Sequence, residues 1–232
     1  MSSLGNGTYL EIGVDTGASF IPTDAKHKWG VDPSPKLTGR RRLKYGVFAA
    51  LGLKDERIFP VTSDEFFATE SRRLARYGID VALVDGLHTY EQTLRDTRNV
   101  LAYLRPNGVI VLHDCNPVTE IMASPASSME DMIARGAPGW DGAWTGDVWK
   151  VIAHARSLWN DVNAFVLDCD FGVGIVTRGA PEARLAYSEQ EIAEMDYSFL
   201  DAHRKDLLGL RDPGYFEEFM RAHFGQRAVA AA

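Results

Sequence analysis

Three places in this 232-residue chain carry residues that could do chemistry, and each follows an apolar run. The first is Tyr9 to Ser19, Tyr-Leu-Glu-Ile-Gly-Val-Asp-Thr-Gly-Ala-Ser, in which Gly13 and Gly17 follow a short apolar stretch. Without a side chain, glycine lets the backbone turn sharply and lets a ligand come to van der Waals distance. About twenty residues on, Lys28-Trp29-Gly30-Val31-Asp32 ends a second run in a carboxylate, where nucleotide-binding α/β folds receive ribose hydroxyls. The third place is double: Val81–Val84 runs into Asp85-Gly86-Leu87-His88, and Val109–Leu112 into His113-Asp114-Cys115-Asn116-Pro117. An unperturbed imidazole titrates near neutrality, so His88 is the first candidate general base and His113 the second; a packing or capping role for His88 is the competing reading.

Something must hold these groups together. Strands are expected at Tyr9–Ile12, up to Asp32, at Arg57–Val61, Val81–Val84 and Val109–Leu112, mostly separated by helical patterns, which implies a parallel sheet with right-handed crossovers. A short helix is expected over Ser19–Ala25, another over Leu43–Leu51, and one starting near Ser63 or Asp64 with Phe66, Phe67 and Leu74 inward. The spacing of Tyr90, Leu94, Val100, Leu101 and Leu104 predicts a helix up to the Pro106-Asn107-Gly108 turn. Val81–Val84 reads as a strand buried on both faces. In parallel sheets ligands bind beyond the carboxyl ends of the strands, where Asp32, Ser63, Asp64, Asp85, His88, His113 and Asp114 fall.

Residues 117–145, rich in Ser, Pro, Gly and Met, read as a lid-like insertion, and Gly146-Asp147-Val-Trp-Lys150 as the start of a helix running to about Leu158. Ala164–Leu167 and Gly172–Thr177 are separated by only four residues, too few for a crossover, so they must form an antiparallel hairpin. Ser188–Phe224 reads as a helical tail. The fold class expected is α/β, a Rossmann-like doubly wound and mostly parallel sheet with a C-terminal antiparallel hairpin strand. Residues 1–180 form the expected cofactor-binding domain, and 181–232 a helical extension packed on it.

Composition bounds the function. A net charge of -7 argues against a nucleic-acid backbone or an anionic membrane surface as main partner. A small polar substrate fits better. Arg40-Arg41-Arg42 with Lys44 is read as a solvated loop or dimer surface, with contact to an acidic substrate group as the alternative. Cys115 and Cys169 lack metal-ligand spacing, and two cysteines in such a length do not make a disulfide scaffold, which points to a reducing cytoplasm. The start carries no signal-like segment, and no run of roughly eighteen apolar residues exists.

Taken in order, Glu11-Ile-Gly13-x-x-x-Gly17, Val31-Asp32-Pro33, Val84-Asp-Gly-Leu-His88-Thr-Tyr90, His113-Asp114 and Gly146-Asp-Val-Trp-Lys150 resemble the class I S-adenosylmethionine-dependent methyltransferases. More narrowly they look like the bacterial small-molecule or sugar O-methyltransferases with a Val-Asp-Gly-x-His-x-Tyr fourth strand. The resemblance covers roughly Tyr9 to Thr177. It implies a cofactor laid across strands one to four: Gly13, Gly17 and Ser19 near its methionine and ribose, Asp32 on the ribose hydroxyls, Ser63 and Asp64 at the adenine, Glu11 and Asp85 near the methionine end. It also implies Mg2+ held by Asp85 and Asp114, with His113 at the place of a third ligand and Asn116 as its substitute through the amide oxygen.

The implied activity is methyl transfer to a hydroxyl of a small metabolite, a sugar or glycoside among the candidates, by a cytoplasmic homodimer. An NAD-dependent oxidoreductase and a non-catalytic cofactor-binding regulatory protein are the alternatives. Bland roles compete at single positions: Asp85 as a helix cap, Asp114 as a turn former before Pro117, Asp147 as a helix N-cap, Lys150 as a solvated or substrate-touching residue, and Trp140, Trp144 and Trp149 as packing rather than sugar-stacking rings.

Overall fold

The structure, a computed structural model, describes residues 4–37 and 55–225. The expected Leu43–Leu51 helix and the Arg40–Arg42 and Lys44 cluster lie outside the described residues. The chain divides into two compact units, one of residues 1–87 and 95–110, the other of 88–94 and 111–232.

In the first unit the strands β1 (Thr8–Ile12), β2 (His27–Val31), β3 (Asp55–Phe59) and β4 (Ile79–Val84) form parallel neighbours in the order β3-β2-β1-β4. The order reverses beside β1, so β1 and β4 leave a switch point at their carboxyl ends, where ligands enter such sheets. Every side chain of β1 is buried, Glu11 included. Tyr9, Val14, Phe20, Ala25 and Leu37 pack as one cluster with Val81 and Leu83 against it. Each such apolar side chain contributes about 1.5–3 kcal/mol when fully buried. Val81 and Leu83 keep partial exposure, so β4 is not buried on both faces as its composition suggests.

No helix forms between β1 and β2. One helical turn closes, with Ile21 N–H donating to Gly17 O at 2.9 Å, but Pro22 has no N–H to continue it. After β3, α1 (Ser63–Thr69) and α2 (Ser71–Tyr77) replace the single expected helix start. The N-cap is Thr62 rather than Ser63 or Asp64: Thr62 Oγ1 accepts from Glu65 N–H at 3.2 Å and the Glu65 carboxylate accepts from Thr62 N–H at 3.0 Å. This reciprocal pair is worth about 1 kcal/mol and leaves Ser63 inside the helix. Phe66, Phe67 and Leu74 are buried, as their spacing requires.

Helix α3 (Tyr90–Tyr103) runs directly into β5 (Leu104–Leu112), which starts at Leu104 instead of after the Pro-Asn-Gly stretch. A side chain at Gly108 would come within 2.9 Å of Ile79 O, so glycine lets the extended chain lie against the start of β4. β5 begins in the first unit and ends in the second.

The second unit continues with α4 (Met129–Arg135), α5 (Trp149–Leu158), and the hairpin β6 (Val162–Leu167) and β7 (Val173–Arg178), whose antiparallel pairing agrees with the four-residue gap in the sequence. The segment 117–145 has its own small core of Ala126, Met132 and Trp144, flanked by Ile121 and Trp140. The tail is not helical throughout. Between α6 (Glu189–Glu194), α7 (Tyr197–Leu208) and α8 (Tyr215–Phe224), Leu210–Arg211 forms β8, parallel to β6. Gly209, left-handed at φ 57°, ends α7 and turns the chain into that strand. Among the described residues no helix is long and apolar enough to cross a membrane.

Candidate active site

In the first unit the loop after β1 is drawn over the end of β4. Gly13 sits at φ 87°, its N–H bonds Val31 O at 2.9 Å, and a Cβ there would stand 1.9 Å from Asp85 O. Asp85 in turn donates its backbone N–H to Ile12 O at 2.8 Å. Gly17 is also left-handed, at φ 79°, but its would-be Cβ meets only the flexible ends of Ile21 and Leu37.

Asp32 holds this loop. Its Oδ2 accepts from the N–H groups of Val14 (2.9 Å) and Asp15 (2.7 Å), and its Oδ1 from Ser34 N–H (2.7 Å). Asp15 is thereby kept at φ 43°, a left-handed conformation that a non-glycine residue rarely adopts. Oδ2 is thereby fully engaged while Oδ1 keeps a second lone pair, so the ribose role read from the sequence is compatible with this structural one through Oδ1. Ser63 is buried at the start of α1, and Asp64 is exposed and ion-paired with Arg95 at 3.4 Å.

Glu11 forms a buried polar centre that the sequence reading missed in its detail. Its carboxylate accepts from Tyr9 Oη–H and, at 2.8 Å, from Ser19 Oγ–H, so Ser19 is committed to Glu11. Burial pushes the Glu11 carboxyl up to about 7, although both hydroxyl donors and Lys28 pull it down; Asp85 adds to the rise. The Tyr9 phenol is raised too, first by burial and then by Glu11. Unfolded, the carboxyl titrates near 4.5. Between that pH and about 7 the folded chain holds the extra proton, so stability declines as pH rises through this window and is level above it. The span is worth about 3 kcal/mol. Urea midpoints measured from pH 4.5 to 8 should therefore slope downward for the wild type and flatten for Glu11→Gln; an unchanged slope in the variant would show that another group is responsible.

The second unit assembles the histidines. His88 Nδ1 lies 2.8 Å from Trp144 O and 3.3 Å from Asp114 Oδ2. A carbonyl oxygen only accepts, so Nδ1 carries the hydrogen and Nε2 is the basic nitrogen of the neutral ring. The Trp144 ring lies alongside, 5.3 Å between centroids. Gly146, at φ 58°, lets the chain lie against the backbone of His88: a Cβ there would stand 1.8 Å from His88 O.

Asp147 caps a helix, but not its own. Its Oδ1 accepts from Tyr90 N–H at 2.7 Å and so fixes the start of α3 just after His88, 57 residues earlier in the chain. Lys150 neither meets solvent nor reaches outward. It is buried, donating to Ala193 O at 2.9 Å and lying 3.3 Å from Asp147 Oδ2. The Gly-Asp-Val-Trp-Lys stretch thus supports His88 from behind.

Asp114, buried and left-handed at φ 62°, stands between two imidazoles, with His113 Nδ1 3.1 Å from its Oδ1. His113 Nε2 is 3.2 Å from Asp170 Oδ2 on the β6–β7 hairpin, a partner that no local signal at Asp170 announces. Asn116 is not a substitute ligand. Its Oδ1 accepts from Arg204 and its Nδ2 donates to Asp168 Oδ1 at 3.0 Å. The tryptophans are packing residues: Trp144 Nε1 donates to Ser124 O, Trp140 Nε1 to Ala143 O, and Trp149 is fully buried. His88, His113 and Asp114 therefore converge in the second unit, while Glu11, Gly13, Gly17, Ser19, Asp32 and Asp85 belong to the first, Glu11 within β1 and the others in the loops that follow β1, β2 and β4.

A family described as a methyltransferase domain matches residues 10–115. No curated protein matches the chain. Among solved structures, the MycE methyltransferase from the mycinamycin biosynthetic pathway, in complex with Mg and SAH, is similar at 19% identity and TM-score 0.38, over 85% of this chain and 48% of that one. The chain thus spans about half the length of that protein. The N-methyltransferase NodS from Bradyrhizobium japonicum WM9 is similar at 16% identity and TM-score 0.40, over 77% of this chain and 88% of that one. An rRNA methylase from Streptococcus thermophilus shows 13% identity and TM-score 0.37, over 77% and 90%. The match from residue 10 to residue 115 takes in the β1 loop, Asp32, the Asp85–His88 turn and Asp114, and over those residues the chain is similar to a methyltransferase domain.

Proposed function

We propose that the chain transfers the methyl group to a hydroxyl of a small metabolite, a sugar or glycoside among the candidates, with His88 as general base. The observation that carries this reading is the fixed tautomer of His88: Nδ1–H points at Trp144 O and Asp114, which makes Nε2 the proton acceptor. A sulfonium methyl is already reactive. The protein has to align the acceptor oxygen with it and remove the hydroxyl proton as the bond forms. Asp114 stabilises the imidazolium that results. On the cofactor side, Gly13 and Gly17 leave room at the β1 loop, Asp32 Oδ1 offers its remaining lone pair to the ribose, and Glu11 with Asp85 is assigned to the methionine end; Ser63 and Asp64 are assigned to the adenine.

A divalent cation is part of the proposal. Asp114 Oδ1 and His113 Nδ1, 3.1 Å apart, both offer lone pairs and need a proton or a cation between them. The donor chemistry therefore fits, with Asp85 as the further ligand expected from the sequence. Mg2+ is the ion proposed, and an imidazole ligand also suits Mn2+. When bound, such an ion lowers the pKa of an acceptor hydroxyl. Chelation of the purified protein should lower turnover about tenfold or more, with recovery on adding Mg2+ or Mn2+, and Asp114→Ala should respond to neither. A wild type indifferent to chelator would remove the metal and leave His88 as base. The homodimer, the cytoplasmic location and the division into a 1–180 domain with a 181–232 extension belong to the same proposal.

A further inference from the structure

We propose that Arg204, on helix α7, is a positioning residue for the active-site loop, fixing Asn116 and Pro117 and through them the strained backbone of Asp114. The inference rests on the reading of Asp114 as a site residue. A left-handed non-glycine residue is strained and persists only where its surroundings over-determine it. Asp114 is such a residue, at φ 62°.

Residues 115–118, immediately after it, are tied from two sides. From the β6–β7 hairpin, Gly172 O accepts from Cys115 N–H at 2.9 Å and Phe171 O from Asn116 N–H at 2.6 Å. The hairpin can lie that close only because Gly172 lacks a side chain; a Cβ would stand 2.4 Å from Asn116 N. From the other side, Arg204 Nη1 donates to Asn116 Oδ1 and to Pro117 O at 2.6 Å. Tyr197, seven residues earlier and so on the same helix face, donates to Val118 O at 2.9 Å. Asp201 Oδ1, 3.1 Å from Arg204 Nη2, holds the guanidinium in place, and Asn116 passes the tie on to Asp168. Nη1 serves both loop acceptors while Nη2 is held on the helix by Asp201, a division between two nitrogens of one rigid plane that suits arginine rather than lysine.

The test uses the full chain as wild type, Arg204→Ala, Arg204→Lys, Asn116→Ala and the Ala/Ala double variant, read by initial rates, S-adenosylhomocysteine titration and amide hydrogen exchange of peptides covering residues 113–118. Arg204→Ala should exchange faster across 113–118 and lose about 10- to 100-fold in kcat, with cofactor-product affinity within about twofold. Arg204→Lys should recover part of both, and the double variant should be no slower than the slower single one. Unchanged exchange, additive losses in kcat, or a parallel fall in cofactor affinity would overturn the positioning role. Should Arg204→Ala fail to fold, Arg204→Lys against wild type gives the same exchange comparison. A wild type that binds no S-adenosylhomocysteine would instead defeat the functional reading, while the exchange comparison would still decide whether Arg204 fixes the loop.

Discussion

Replacing His88 with Ala should lower kcat by about 10²–10⁴, the usual contribution of a positioned general base, and leave the dissociation constant for S-adenosylhomocysteine nearly unchanged. The expectation comes from how the ring is held. Trp144 O fixes the Nδ1–H tautomer, Asp114 offers a countercharge 3.3 Å away, and Gly146 lets the supporting segment lie against His88 O. None of these ties involves the cofactor loops, which is why affinity and turnover should separate. The pH profile of kcat in the wild type should rise through one ionisation, and the variant should lose that limb. Turnover equal to wild type would take His88 out of the proton transfer.

Gly13→Ala should have the largest effect on the cofactor side. The added Cβ would lie 1.9 Å from the carbonyl oxygen of Asp85, a backbone atom that cannot swing aside, and the residue would be fixed at φ 87°. Overpacking costs about 1–3 kcal/mol and the left-handed backbone about 1–2 more, so a loss of several degrees in melting temperature is expected. The substitution pushes the β1 loop away from the end of β4, so S-adenosylhomocysteine affinity should fall more than tenfold. Gly17→Ala is the control, because its neighbours are the flexible ends of Ile21 and Leu37. It should lose clearly less in both measurements, and a Gly13 variant that melts and binds like wild type would show that this contact does not shape the site.

Much of the frame was legible where the chain speaks locally. An apolar run ending in glycine marks β1, and a four-residue gap forces the β6–β7 hairpin. The aspartate two residues past Gly30 stands at the end of β2. What escaped is long-range. Asp147 looks like the cap of the helix beside it, yet it caps one that starts at Tyr90, because only the fold brings that N–H to its carboxylate. Lys150 has the composition of a surface residue and is buried through the Ala193 carbonyl. Asn116 has the right type for a cation ligand, but Arg204, 88 residues away, occupies its oxygen. The two-residue strand β8 is too short for any periodicity to announce it.

Which nucleotide the first unit accepts is the most direct test of the methyltransferase reading. Calorimetric or thermal-shift titration of the purified chain with S-adenosylhomocysteine and, separately, NAD decides it. A saturable rise in melting temperature with S-adenosylhomocysteine is predicted, approaching about 2.7 kcal/mol of added stability at a hundredfold its dissociation constant, with no shift from NAD. A shift with NAD alone would contradict that reading.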